Sequence, residues 1–330
     1  LKIGTVPTGL RNGDKIRIKG GAYNSIVIRN ISVPNGERII IENNKTVSFT
    51  GDFTSMDIEN VNNVTISGGG TMGVTRGFQF LNNKFRAVKL RGSINNFTLE
   101  KMLFKNVSDY VIFYEGNDKR VYTGAPDSYS ENLAFLNLDA ENVGQFIGIG
   151  GEIGTSFTGL VKNIEVAGIT CINSPEVGSV VFLGNCENYN VHDNFVDNVN
   201  GAINNHNGVF MLRGNGRFYN NTVKNHQGNA LRSWLYSMNG ANSSSVDIYN
   251  NIVYNSRMYS AFELQVPPYI KESALFKPAT ARLYNNTVGR MNTSKKSFPG
   301  RLLDLYNTYS TLELYNNLLF EDNDDIVLNN

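Results

Sequence analysis

Three charged residues stand in apolar, β-forming surroundings. Arg232 lies in Ala230-Leu231-Arg232-Ser233-Trp234-Leu235-Tyr236, Glu263 in Ala261-Phe262-Glu263-Leu264, and Asp304 in Leu302-Leu303-Asp304-Leu305. Two carboxylates held side by side can divide proton-handling work, because the charge on one pushes its neighbour towards the neutral acid. A separation of about 5 Å suits retaining glycoside hydrolysis, and wider pairs suit inversion. A lyase would use the parts differently: Arg neutralises a uronate carboxylate while a base removes the adjacent proton. The catalytic candidates are therefore Arg232, Glu263, Asp304 and His226, whose imidazole is a natural base near neutral pH. The substrate-binding candidates are Arg213, Trp234, Tyr236, Gln265, Tyr306 and His206: flat rings on which sugars stack, with polar groups to orient them. Plainer readings stand beside these. The charges could form a solvated cross-strand ion pair worth roughly 0–1 kcal/mol. His206 and His226, in Asn205-His206-Asn207-Gly208 and Asn225-His226-Gln227-Gly228, could be ordinary turn residues.

The elements that carry these residues repeat. Phe218-Tyr219-Asn220-Asn221-Thr222-Val223 recurs as Ile248-Tyr249-Asn250-Asn251-Ile252-Val253, as Leu283-Tyr284-Asn285-Asn286-Thr287-Val288 and as Leu314-Tyr315-Asn316-Asn317-Leu318-Leu319. Val191-His192-Asp193-Asn194-Phe195-Val196 is a looser copy. Successive second asparagines are spaced by about 27, 30, 35 and 31 residues, as in solenoids. Each repeat carries at least two short strands joined by Asn- and Gly-rich turns, whereas a helical repeat would need ten or more residues of helical period per element. Asn tolerates left-handed backbone, and stacked Asn side chains can form a hydrogen-bonded ladder. The largest insertion spans 266–278, and per-repeat insertions map to loops. The N-terminal half repeats less cleanly, through segments such as Asn96-Phe97-Thr98-Leu99 and Asn132-Leu133-Ala134-Phe135.

Strand alternation then places the side chains. With Leu231, Ser233 and Leu235 inward, Arg232, Trp234 and Tyr236 point outward. Keeping Phe210 and Leu212 inside sets Met211, Arg232, Glu263 and Asp304 in one outward column, with Arg213, Trp234, Gln265 and Tyr306 in the next. Neighbouring strands lie roughly 4.8 Å apart. A slip of one residue, which alignment on the Asn-His-x-Gly turns would give, exchanges the faces.

Composition narrows the class. The 330 residues are 41% hydrophobic with a net charge of +1, enough for a core and without a basic block, so no nucleic-acid partner is expected. No run of eighteen apolar residues is present, so no membrane span is expected. Cys171 and Cys186 are too few for a disulfide framework; they would pair only if coils bring them together.

The residues resemble a known group. Gly13-Asp14 through Tyr23 is similar to the first coil of pectate-lyase-like right-handed parallel β-helix proteins, and Asn63-Val64-Thr65-Ile66-Ser67-Gly68-Gly69-Gly70-Thr71 to a segment of polygalacturonases. The resemblance implies three parallel sheets and a role in cutting, epimerising or binding polysaccharides, often acidic ones. The family's activities do not carry over by residue. Gly-His-Gly is missing, and the adjacent pair Asp324-Asp325 lies in the last coil, out of context. Asp193 and Asp197 faintly suggest a Ca²⁺ site, but two carboxylates are few for six to eight oxygen ligands, so no metal or other cofactor is assigned.

The expectation is an all-β, right-handed parallel β-helix solenoid of roughly ten coils, one domain over 1–330. It would be a secreted monomer (extracellular, periplasmic or on the cell surface) that cleaves or modifies an acidic polysaccharide or oligosaccharide. A non-catalytic glycan-binding or adhesin-like solenoid is the alternative.

Overall fold

The computed structural model describes residues 2–3 and 10–321, apart from 35, 155, 203–205, 239–243, 272, 296–297, 299 and 308–310. Asn205 and the pair Asp324-Asp325 thus lie outside the described residues. The fold is all-β, a right-handed parallel β-helix. The chain divides into two compact units, Leu1–Thr170 and Cys171–Asn330.

In the first unit the core is built by like residues stacking on like. Ile41, Ile66, Leu99, Phe135 and Val166 follow one another in register on successive parallel strands, all of them fully buried. Phe49, Phe80 and Phe104 stack with ring centroids 4.7 and 4.9 Å apart. Each such pair contributes about 0.5–1.5 kcal/mol beyond the area it buries.

The second unit has three parallel stacks. One contains the start of Gly208–Tyr219, then Asn229–Met238, Phe262–Gln265 and Leu303–Tyr306. A second contains the end of Gly208–Tyr219, then Ser245–Tyr249, Thr280–Tyr284 and Leu312–Tyr315. The third contains Phe195–Val199, Thr222–His226, Ile252–Ser256, Thr287–Gly289 and Leu318–Phe320.

The two asparagines of the repeat do different jobs at the corner between the second and third stacks. The first is the left-handed residue: φ is 54°, 55°, 55° and 53° at Asn220, Asn250, Asn285 and Asn316. The second makes the ladder. Its amide donates to the next coil's side-chain oxygen at 2.9 Å (Asn194 to Asn221), 3.0 Å (Asn221 to Asn251), 2.9 Å (Asn251 to Asn286) and 2.9 Å (Asn286 to Asn317). The preceding tyrosines, Tyr219, Tyr249, Tyr284 and Tyr315, stack in parallel at 4.8, 5.0 and 5.0 Å.

The insertion, which follows Phe262–Gln265, folds back on the preceding coil. After a helical turn over Pro268–Lys271, Phe276–Pro278 pairs antiparallel with Tyr236–Met238. Cys171 and Cys186 are both buried and unpaired.

Candidate functional site

The observed register is the one that keeps Phe210 and Leu212 inside. Met211 pairs with Arg232, Arg232 with Glu263, and Glu263 with Asp304; Arg213 pairs with Trp234, Trp234 with Gln265, and Gln265 with Tyr306. Leu231, Ser233, Phe262 and Leu264 fill the interior beneath them. Parallel pairing thus makes spatial neighbours of charges 31 and 41 residues apart in sequence.

Glu263 is the centre of the cluster and only 3% exposed. Arg232 donates from Nε to Glu263 Oε1 at 2.6 Å and from Nη1 to the His206 carbonyl at 2.9 Å. His206 Nε2 lies 2.9 Å from Glu263 Oε2 and 2.9 Å from Asn229 Oδ1. Asn229 is fixed in turn by donating to the Ser260 carbonyl at 2.8 Å. The His206 ring stacks on Tyr259 at 4.1 Å with 13° between planes, and Tyr259 leans on Phe298 at 4.6 Å. Tyr259 holds φ at 73°, a left-handed conformation that costs a bulky residue of order 1–3 kcal/mol and that clusters at functional sites. Gly208 is needed below: a Cβ there would come within 2.8 Å of the Arg232 Cβ.

The two neighbouring carboxyls are driven apart in protonation. Burial favours neutral Glu263, but the contacts with His206 and the charge of Arg232 outweigh it and hold the group below the usual carboxylate range. Asp304 goes the other way. Burial raises it, the Glu263 charge adds to this, and hydrogen bonding to Ser260 with the nearby Arg301 charge only partly opposes the rise. Asp304 is 8% exposed, so the carboxyl whose pKa is raised is also mostly desolvated.

The candidates divide between those that join this cluster and those that do not. Arg232, Glu263, Asp304 and His206 come together. Tyr306 stands open beside them at 47% exposed, and Gln265 lies between it and Trp234. Trp234 offers less free surface than expected, because the Arg213 guanidinium sits 3.9 Å above its ring and also faces Phe182 at 5.2 Å. Tyr236 is corrected from outward to buried. The returning insertion covers it, with Phe276 edge-on at 5.5 Å, and its hydroxyl donates to Asn185 Oδ1 at 2.5 Å. His226 is also corrected. It ends a strand of the third stack, paired with Val199 and Ser256, and burial lowers its pKa to about 4. The corner at Gln227-Gly228 carries the chain from that sheet to the one bearing Arg232, which separates the two residues.

Asn229, Ser260, Arg301 and Tyr259 belong to the cluster although none was a candidate from the sequence. A signal existed: Asn229, Ser260 and Arg301 each precede Arg232, Glu263 or Asp304 by three positions, so they share one place in the repeat. Tyr259 carried no such mark, since its backbone angle is invisible in sequence.

A calcium ion does not fit the residues considered for it. Asp193 is bonded to His192 at 2.6 Å and Asn220 at 3.1 Å; Asp197 is bonded to Lys224 at 3.2 Å and Asn225 at 2.7 Å. Among the described residues no three His, Cys, Asp or Glu side chains gather as a metal site would require. Among the described residues no helix is long and apolar enough to cross a membrane.

No family model matches the chain, and no curated protein does. Solved structures do align with it. An alginate lyase from Paenibacillus sp. str. FPU-7 aligns at TM-score 0.47 and 10% identity, over 94% of this chain and 93% of that one. A hyperthermoactive exopolygalacturonase from Thermotoga maritima aligns at TM-score 0.41 and 10% identity, over 92% and 84%. A polygalacturonase from Erwinia carotovora ssp. carotovora aligns at TM-score 0.35 and 14% identity, over 94% and 90%. At such identity and overlap the likeness carries no chemistry across to this chain.

Proposed function

We propose that this β-helix is a carbohydrate-active protein that cleaves or modifies an acidic polysaccharide at the Glu263–Asp304 face. The observation that carries the reading is the pair itself: register neighbours on one sheet, pushed towards opposite protonation states. Asp304 is the proton donor to the departing glycosidic oxygen. Glu263 is bonded to Arg232 through Oε1 and lies 2.9 Å from His206 through Oε2, so it acts as a fixed negative charge that favours positive charge developing on the sugar. As the glycosidic oxygen departs, a water adds to the sugar carbon, and His206, which touches that carboxylate, is the group placed to take the water's proton. Tyr306 supplies the exposed ring for stacking. Arg301 favours an acidic sugar: its charge acts at Asp304, its Nε has no partner, and it forms no ion pair among the described residues. A polymeric substrate of this kind places the protein outside the cytoplasm.

One observation favours binding without turnover: Glu263 and Asp304 are 3% and 8% exposed, which leaves little room for a substrate atom to reach them. One experiment separates the readings. A panel of acidic and neutral glycans is incubated with the wild type, Asp304→Asn and Glu263→Gln, scoring unsaturated products, reducing ends and retained glycan. Catalysis predicts product from an acidic glycan and a loss of about 10²–10⁴-fold in Asp304→Asn. Product that survives both substitutions removes this site, and retention without product from any glycan selects the binding reading.

A further inference from the structure

A concavity lies on a different sheet of the Cys171–Asn330 unit, among residues the chemistry above does not use. It is a cleft of about 350 Å³ lined by Asn198, Gly201, Asn225, His226, Asn255 and Arg257 with their neighbours. That volume falls in the range of small-ligand sites. Its floor is polar in an unusual way. His226 is 2% exposed, and neither ring nitrogen makes a hydrogen bond of good geometry.

Buried polar atoms are nearly always satisfied, so a buried imidazole without a well-formed hydrogen bond in the wall of a cleft asks for an occupant. The imidazole is held neutral by burial, and with its N–H turned to the Gly228 backbone the other ring nitrogen is left as an acceptor. The rim is amide, with Asn255 donating to Asn225 at 2.8 Å and Asn225 to Asp197 at 2.7 Å. Arg257, bonded to Gln227 at 2.8 Å, closes one side. Mixed neutral donors and acceptors match hydroxyl groups, which both donate and accept.

We infer that this cleft binds one sugar unit of a polyhydroxylated ligand, as an accessory site on a sheet other than that of Glu263 and Asp304. The site is independent of the proposed chemistry, so either can fail alone. Only three histidines are present, which makes each imidazole resolvable by ¹⁵N NMR. D-galactose and D-galacturonate are titrated separately into the labelled full chain. The His226 nitrogens shift saturably with at least one of them, and equally so in Glu263→Gln. Gly201→Leu tests the location, because a Cβ at Gly201 meets no atom within 4 Å and the fold can accept it. The added side chain at the cleft weakens binding by about tenfold or more. His226 signals that ignore both sugars overturn the inference. So does a shift that disappears in Glu263→Gln, or one that keeps its full affinity in Gly201→Leu.

Discussion

Acid should destabilise this protein through His226 by an amount that can be worked out. The imidazole titrates at about 4 when folded, chiefly because burial penalises its charged form, with the backbone at Gly228 opposing weakly. Its unfolded value is near 6.5. The folded state therefore binds fewer protons than the unfolded state between these values. The stability from keeping the ring neutral is fully present above about 6.5 and is lost as pH falls towards 4. Each pKa unit is worth 1.36 kcal/mol, so most of the gap is gone at pH 4, a loss of about 3 kcal/mol from this one group. Other carboxyls titrate in the same window, so the wild type must be compared with His226→Leu, which has nothing to protonate there. Urea unfolding of both proteins at pH 7 and pH 4 gives the double difference, and the wild type should lose about 3 kcal/mol more than the variant. A difference below about 1 kcal/mol, or an imidazole titration near 6.5 in the folded protein, would refute the claim that His226 is held neutral by burial.

Two further predictions concern what holds the site and the coil. Arg232→Ala leaves the buried Glu263 charge with only His206, and should cost about 3 kcal/mol by urea unfolding, the lower end of the usual range because Arg232 itself is 26% exposed. Replacing both partners, Arg232→Met with Glu263→Leu, should recover much of that loss; a double variant no more stable than the single one would show that the charge is not what was stranded. In the ladder, Asn251→Ala strands the Phe218 carbonyl and the backbone N–H and amide of Asn221, and should cost at least about 2 kcal/mol. Asn250→Ala should cost only about 1 kcal/mol, the strain of a left-handed Ala; equal losses at the two positions would argue against the division of labour.

The coil was legible because its signals are local and repeated. The Tyr-Asn-Asn copies fix the corner, and alternation around Leu231, Phe262 and Leu303 fixes the face. Together these gave the column Arg232–Glu263–Asp304 at its true register. What escaped was set by contacts between segments that share no repeat. Tyr236 alternates like an outward residue, yet it is buried, with a hydrophobic segment forty residues later, around Phe276, returning against its ring and its hydroxyl bonded to the buried Asn185. His226 and His206 occupy similar-looking turns, yet one closes a strand of the third sheet and the other reaches Glu263. The difference lies in which sheet each turn ends, and composition does not record that.

The structure also changes what the carboxylate pair can be asked to do. Side-by-side acids on an open sheet would both be solvated and nearly equivalent, and nothing would choose a donor. Here the choice is made by what stands on either side of them. Arg232 and His206 approach Glu263 from the preceding coil and its turn, while Asp304, one coil further, receives burial and a negative neighbour. The asymmetry is therefore a consequence of position along the stack, with cations on one side of Glu263 and a second acid on the other. It follows that inserting or deleting a coil between Arg232 and Asp304 would scramble the acid assignment even if every side chain were kept. Substitutions at Asn229 or Tyr259, which touch neither carboxyl, would act through the placement of His206.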